Sequence, residues 1–444
     1  MKIKDNKKYI KKTKTEQLLT LQAMNQNHEL KVLDLTSRRK TVRTIKSALK
    51  FRFPNRGGST NSRLDEWSRT LAIISHAQST RSLDDAESFT FRAMLRLSSH
   101  VSQDYKRHDI RGKDAPCFVK LAWKPPRETT GACAERKLLS TGIESLLRRG
   151  KTPCLPFAIH QLKLPTNDVL KGWEVYRDLL KQSGAQLKDR GKFAHLLMME
   201  TCGDMTLIQY LQTYSGERCD MLQMYLMVCH TLQVLAEAGI SHNDLHLANI
   251  VVKTIPVTVV SFGGRVFRTS VVPVIIDWDF GCSRQVYNQS LELYSHVGIF
   301  NTRKSSIGKE PGSWELYHNP LYDLFGVTKA LIALSDRTTG TLKPLVMSHD
   351  DMRTLVGGLK ELFQPVVAKH PWLFSHSFID EDGKRVSTVQ QTVYITDKET
   401  CEPRARWPPN VFELTPSFEK IQDKIHALIE SLEGRVDEDA QFKF

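Results

Sequence analysis

The sequence predicts an α+β protein, with a smaller strand-rich part followed by a larger helical part, on three observations. Short apolar runs of strand length cluster before Gly203, namely "ESFTFRAMLRLSSHV", "PCFVKLAW" and "FAHLLMME". Beyond Gly203 the apolar residues recur at helical spacing, as in "DMLQMYLMVCHTLQVLAEAG" and "SFEKIQDKIHALIESLEG". The chain has 444 residues, 40% hydrophobic and 25% charged, which is enough material for two lobes with a cleft between them.

In chain order, residues 1–62 are basic and polar and end in the turn-rich "NRGGSTNSR". They are expected to form a basic flexible arm with one helix near 37–49. Residues 63–202 form the strand-rich lobe. Within it, 87–101 and 116–123 read as strands, 132–150 as a helix stopped by glycine, and 193–200 as a buried strand. The charged "NDVLKGWEVYRDLLKQSGAQLKDRG" reads as an insertion. Residues 203–444 form the helical lobe. Leu222, Tyr225, Leu226, Cys229, Leu232 and Ala236 share one helix face, with Gln223, His230, Gln233 and Glu237 on the others, and Gly239 supplies a left-handed stop. "NIVVK", "VTVVSF", "RVFRTSVV" and "VPVIID" read as short antiparallel strands around a Gly263-Gly264 turn. Residues 319–335 and 417–434 read as further helices, and no internal repeat is visible.

Lys plus Arg number 63 against 49 Asp plus Glu, a formal charge of +14, which favours polyanionic partners. The excess lies early, in "KIKDNKKYIKKTK" and "SRRKTVRTIKSALKFRFPNR", so nucleic-acid or acidic-partner contact is expected through the N-terminal arm. The 8 cysteines form no C-x-x-C pair and read as reduced, mostly buried thiols. No apolar leader and no run of about 18 apolar residues is present. A cytoplasmic or nuclear location without membrane contact is the expectation.

The chemistry concentrates in "GISHNDLHLANIVVK", where His242, Asp244, His246 and Asn249 fall within eight positions. His242 and His246 stand four apart, as zinc ligands do on one helix face. Here, however, Gly239 has ended the helix and Asn249 leads into a strand, so the two rings need not converge. Phosphoryl transfer suits the set better. That reaction needs an Asp to accept a hydroxyl proton and an Asn to bind the metal that holds the nucleotide.

"HNDLHLAN" resembles the catalytic loop H-x-D-L-x-x-x-N of the protein kinase superfamily, with His242, Asp244, Leu245 and Asn249 at the defined positions. The resemblance implies a bilobal protein kinase-like fold, with a small β-rich N-lobe and a larger helical C-lobe. It makes Asp244 the base, His242 the support of the loop and Asn249 a Mg2+ ligand. His246 stands where many protein kinases carry lysine; histidine there resembles haspin-like and aminoglycoside-type kinases, and the block of three is expected to act in catalysis. "VIIDWDFGCSR" resembles the superfamily's metal-binding segment in two frames. Asp279-Phe280-Gly281 matches the letters, and Asp277-Trp278 matches the position directly after the strand. Asp277 is favoured, because a residue leaving a buried strand has its direction set by the pleat, with Asp279 as an assisting carboxylate.

Upstream, "CFVKLAW" resembles the strand whose lysine contacts nucleotide phosphates, here Lys120, and "ACAERKLL" offers Glu135 as its partner, with Glu128 as a rival. "LLMMETCG" resembles the hinge, which implies nucleotide contacts at Met199, Glu200 and Cys202. "YDLFGVTKAL" places Asp323 to hold the catalytic loop's backbone. The cofactors implied are ATP and Mg2+. The activity implied is γ-phosphate transfer to a Ser/Thr hydroxyl of a protein substrate, as in the divergent kinases of large DNA viruses. No G-x-G-x-x-G precedes Lys120 and no A-P-E follows Phe280. A small-molecule kinase of choline or aminoglycoside type, and a silent pseudokinase scaffold with a nucleic-acid-binding arm, are the alternatives.

Overall fold

The computed structural model describes residues 32–52, 71–76, 88–95, 115–122, 130–165, 193–203, 205–214, 219–286, 321–335, 349–369, 377–379, 385–387, 395–396, 403–404, 411–436 and 439–444. The chain is α+β and divides into two compact units, residues 1–132 with 157–201 and residues 133–156 with 202–444. Among the described residues no helix is long and apolar enough to cross a membrane. The stretches 2–14 and 96–114, the insertion 167–191, Glu128 and the segment 287–320 lie outside the described residues.

The first unit is built on a five-stranded sheet in the order β1-β2-β3-β5-β4. Its strands are β1 (Leu71–His76), β2 (Ser88–Leu95), β3 (Ala115–Ala122), β4 (Ala158–Pro165) and β5 (Phe193–Glu200), all paired antiparallel. Period-2 alternation along β2 and β3 buries Phe91, Ala93, Leu95, Val119 and Leu121, and β5, buried on both faces, is apolar nearly throughout. β3 is the middle strand, so Lys120 sits in the register between Thr90 and Leu197 and is buried.

Helix α1 (Leu35–Arg52) packs on β4, which corrects the expectation of a flexible arm for residues 32–52. Asp34 caps its start, Oδ1 accepting from the N–H groups of Thr36 and Ser37 at 3.0 Å each. Val42, Ile45 and Leu49, spaced by three and four, are buried, and so is Arg38. The Arg38 guanidinium donates to both carboxylate oxygens of Glu200 and to Val32 O, and lies 5.3 Å from the centre of the Phe157 ring. Seven cationic side chains in one helix conceal this apolar stripe from a composition-based reading, and the buried arginine is tolerated because a carboxylate and a carbonyl satisfy it.

In the second unit, α2 (Thr130–Leu138) continues through a wide turn, Leu139–Ile143, into α3 (Glu144–Arg148). β6 (Met205–Thr206) leads into α4 (Leu207–Thr213), whose start is a capping box: Thr206 accepts from Gln209 N–H, and the Gln209 side chain accepts in return. α5 (Asp220–Glu237) ends at Gly239, whose φ of +67° is the expected left-handed stop. Of the polar residues on the other faces of α5, Glu237 is exposed and Gln233 half-buried. Gln223 and His230 are buried, because Gln223 donates to the Glu433 carboxylate and the His230 ring bonds Lys151 O.

The expected short strands after the quoted loop are one long hairpin, β8 (Ile250–Phe262) with β9 (Arg265–Ile275), turned at Gly263 (φ +56°) and Gly264 (φ +82°). A bulge between Thr254 and Thr258, at Pro256, interrupts the ladder without ending it. β7 (Ile240–Ser241) pairs with β10 (Cys282–Ser283). A side chain at Gly203 would place its Cβ 2.7 Å from the Val252 carbonyl oxygen, so only glycine lets the chain pass this close to β8. α6 (Tyr322–Ser335) and α7 (Asp350–Leu362) follow. Two small ladders join β11 (Ser377–Ile379) to β12 (Arg385–Ser387) and β13 (Ile395–Thr396) to β14 (Pro403–Arg404). α8 (Phe418–Glu433), capped by Ser417, buries Phe418, Ile421, Ile425 and Ile429 against α5, and β15 (Phe442–Lys443) runs parallel to β8. Cys117, Cys154, Cys202, Cys219, Cys229 and Cys282 are buried free thiols.

Candidate active site

The second unit brings the loop after β7 and the loop after β9 together by sheet register. Ile250, the first residue of β8, pairs with Ile275, the last of β9. The next step continues the pairing, with Ile276 N–H donating to Asn249 O at 2.9 Å. Asn249 and Asp277 therefore flank one hydrogen bond, and two residues far apart in sequence are fixed as neighbours by backbone alone.

The loop carrying Asp244 is held from beneath. Asp323, near the start of α6, accepts from His242 N–H at 2.8 Å through Oδ2 and from Asn243 N–H at 2.9 Å through Oδ1, with a further bond from Leu245 N–H. This is the role the sequence places on it. Burial drives the Asp323 carboxyl up to about 6, and the three backbone donors only partly offset that cost of desolvation. Asn243 adopts a left-handed backbone (φ +66°), and its Nδ2 donates to Phe280 O at 3.1 Å and to Cys282 Sγ at 3.3 Å. It ties the loop after β7 to the segment after Asp279. Asn243 has no role in the sequence-based expectations, although Asn is among the residues that best tolerate this conformation.

Both nitrogens of His242 are committed inside the protein. Nδ1 accepts from Asp244 N–H at 3.3 Å, and Nε2 lies 2.8 Å from Ile276 O. The tautomer protonated on Nε2 satisfies both bonds, and the ring packs against Trp278 with centroids 4.6 Å apart and planes tilted by 55°. With Nδ1 facing Asp244 N–H and Nε2 facing Ile276 O, neither nitrogen is presented to a metal, which argues against a zinc role for His242. His246 Nδ1 accepts from Ala248 N–H at 3.2 Å, capping the short turn Leu247–Asn249, and its Nε2 stands 3.9 Å from Asp244 Oδ2. Asp244 is only partly exposed, with 30% of its side chain open to solvent. Asn249 Nδ2 donates to Asp244 O at 3.0 Å, which turns the amide oxygen the other way.

β9 delivers Asp277 at its end in a left-handed backbone (φ +66°), a conformation costly for most residues and least so for Asp and Asn. The buried Trp278 follows, its backbone N–H donating to Glu135 Oε1 at 3.0 Å and its indole N–H to Ile275 O. Glu135, on α2, is thereby brought to Asp277 and Asp279: one carboxylate oxygen from each lies within 4.8 Å of the others. Three carboxylates this close repel one another unless a cation or shared protons compensate them. Their hard oxygens match Mg2+, whose ligands at about 2.1 Å stand at most about 4.2 Å apart, so the donor set fits that ion after a small inward movement.

Of the residues expected to act on a nucleotide, Asp244, Asn249, Asp277, Asp279 and Glu135 lie in this unit, and Cys202 is buried in it. Lys120, Met199 and Glu200 belong to the first unit. The Glu200 carboxylate binds Arg38 and, through Oε1, accepts from Phe157 N–H at 2.8 Å, so the side chain fixes α1 and the entry to β4. Comparison with protein-family models and with curated proteins found no match for this chain.

Proposed function

We propose that the chain is an ATP-dependent phosphotransferase of protein kinase-like, bilobal fold that moves the γ-phosphate of ATP to a Ser/Thr hydroxyl of a protein. One observation supports this most. A single unit sets Asn249 beside Asp277 through the β8–β9 register and ties Asp244 to Asn249 through the Asn249 Nδ2–Asp244 O bond, with Asp323 fixing the loop that carries Asp244. A zinc site or an ordinary turn does not require that combination. Lys120, buried in the middle strand of the first unit, is the residue for the α- and β-phosphates in this reading.

Each group has a task. Asp244, partly open to solvent and oriented through Asn249 and His242, accepts the proton of the acceptor hydroxyl. The freed oxygen forms the new bond to the γ-phosphorus, and the bond to the β,γ-bridging oxygen breaks with its electrons leaving on ADP. Asn249 Oδ1, Asp277 and Asp279, with Glu135 beside them, would hold Mg2+, which when bound neutralises charge on the triphosphate. The left-handed Asp277 backbone after β9 favours Asp277 over Asp279 as the principal ligand.

A small-molecule acceptor is the second reading, favoured by His246, whose ring and not a lysine stands beside Asp244. The two are separated by incubating the chain with γ-labelled ATP and Mg2+ against casein-like and basic proteins, with choline-type and aminoglycoside alcohols in parallel. Label is expected on protein Ser/Thr. Label confined to the small alcohols assigns the second reading, and none on any acceptor, with Mg2+-ATP still bound, assigns a silent scaffold.

A further inference from the structure

We infer that the outer face of α1 is a docking surface for the phosphodiester backbone of a nucleic acid, independently of the phosphotransfer proposed above. The helix carries no Asp or Glu between Leu35 and Arg52. Its apolar stripe is used up against β4, so what remains outward is Lys40 and Arg43, exposed, with Arg39 and Lys46 half-exposed beside them. Spacings of three and four place Arg39, Arg43 and Lys46 on one line, with cations recurring every ~4.5–6 Å along the axis. Several phosphates of one strand can therefore be met at once. Thr36, Thr41 and Ser47, also exposed, add hydroxyl donors of the kind that bond phosphate oxygens.

The same face argues against the other polyanions. A membrane-surface helix needs its apolar side free to enter the lipid, and here Val42, Ile45 and Leu49 are buried in the protein. An acidic peptide binds tightly when it also finds aromatic or aliphatic anchors. The large hydrophobic side chains exposed among the described residues are Val257 and Leu432, neither of them on this helix. Among the described side chains this surface offers cations and hydroxyls and no apolar anchor, which suits a ligand that presents regular charge and no apolar side chains. The chain's +14 adds a long-range attraction of the same sign.

The test uses the full chain, a fluorescein-labelled 30-nucleotide single strand and its duplex, and anisotropy measured from 50 to 300 mM NaCl. The quadruple variant R39E/K40E/R43E/K46E is expected to bind at least about tenfold more weakly at 100 mM salt, with a salt slope shallower by about 3. A control with the same change of charge on the second unit, K360E/K369E/K420E/R435E, is expected to lose less than about threefold. An unchanged melting temperature shows that each variant is folded, and R39Q/K40Q/R43Q/K46Q repeats the test without charge reversal. Unchanged affinity and slope in both α1 variants, or an equal loss in the control, overturns the assignment. So does a poly-glutamate peptide that displaces the oligonucleotide at equal charge concentration, since the face would then accept acidic protein as readily.

Discussion

Asp244→Asn is expected to abolish phosphoryl transfer while leaving Mg2+-ATP binding within about twofold of the wild type. The substitution keeps the shape of the side chain and removes only its ability to take a proton. Positioned bases contribute on the order of 10²–10⁴-fold, so transfer should fall by about that factor. Binding should survive because Asp244 reaches the acceptor, whereas the carboxylates gathered for the metal are Glu135, Asp277 and Asp279. His242 and Asn249 bond the backbone of Asp244, so the loop should also keep its path in the variant. Single-turnover transfer from labelled ATP, with equilibrium nucleotide binding on the same samples, checks both halves. Transfer that persists in Asp244→Asn assigns the base elsewhere.

Asp323→Ala is expected to cost roughly 2–5 kcal/mol of stability and most of the activity, although Asp323 reaches neither nucleotide nor acceptor in this account. Removing the carboxylate leaves the N–H groups of His242, Asn243 and Leu245 buried without their acceptor. Relief of the carboxylate's own desolvation offsets part of that loss. The pH dependence follows from its direction. Burial raises the folded carboxyl to about 6, above the ordinary carboxylate range, so the folded state binds the proton more tightly than the unfolded one. Its contribution to stability is fully present below about pH 4 and is lost as pH rises through about 6, a span of roughly 3 kcal/mol. Activity should move oppositely, since only the ionised carboxylate offers acceptors to all three donors without a competing proton. Denaturation of wild type and Asp323→Asn from pH 4 to 8 should show this slope in the first and not in the second. An identical slope in both places the titration on another group.

How much of this was legible in the sequence depends on how far each feature reaches along the chain. Gly239 as a helix stop, the Gly263-Gly264 turn and the Ser417 cap are local, and each stands where its chemistry predicts. The strand 193–200 was readable because burial on both faces makes a compact apolar run. The grouping of His242, Asp244, His246 and Asn249 was readable because four such residues within eight positions leave a spacing signature. Features that depend on distant partners were not. The ion pair that Arg38, 162 positions away, makes with the Glu200 carboxylate is invisible in the sequence. Gln223 reads as lying off the apolar face, and its burial becomes clear only when Glu433, 210 positions away, accepts from it. Glu135 also accepts from Trp278 N–H, 143 positions on, and lies with Asp277 and Asp279, a grouping that its own neighbourhood in the chain does not announce. Long-range register did that work, and a single sequence does not carry it.

The central claim is that Asp277, delivered left-handed at the end of β9, shares a hard cation with its neighbours so that a triphosphate can be held beside Asp244. Thermal denaturation with ATP, in the presence and absence of Mg2+, tests it on wild type, Asp277→Asn and Asp279→Asn. The wild type should be stabilised by ATP only with Mg2+, Asp277→Asn should lose that gain, and Asp279→Asn should keep most of it. Equal stabilisation of Asp277→Asn, or stabilisation of the wild type that ignores Mg2+, would contradict the account.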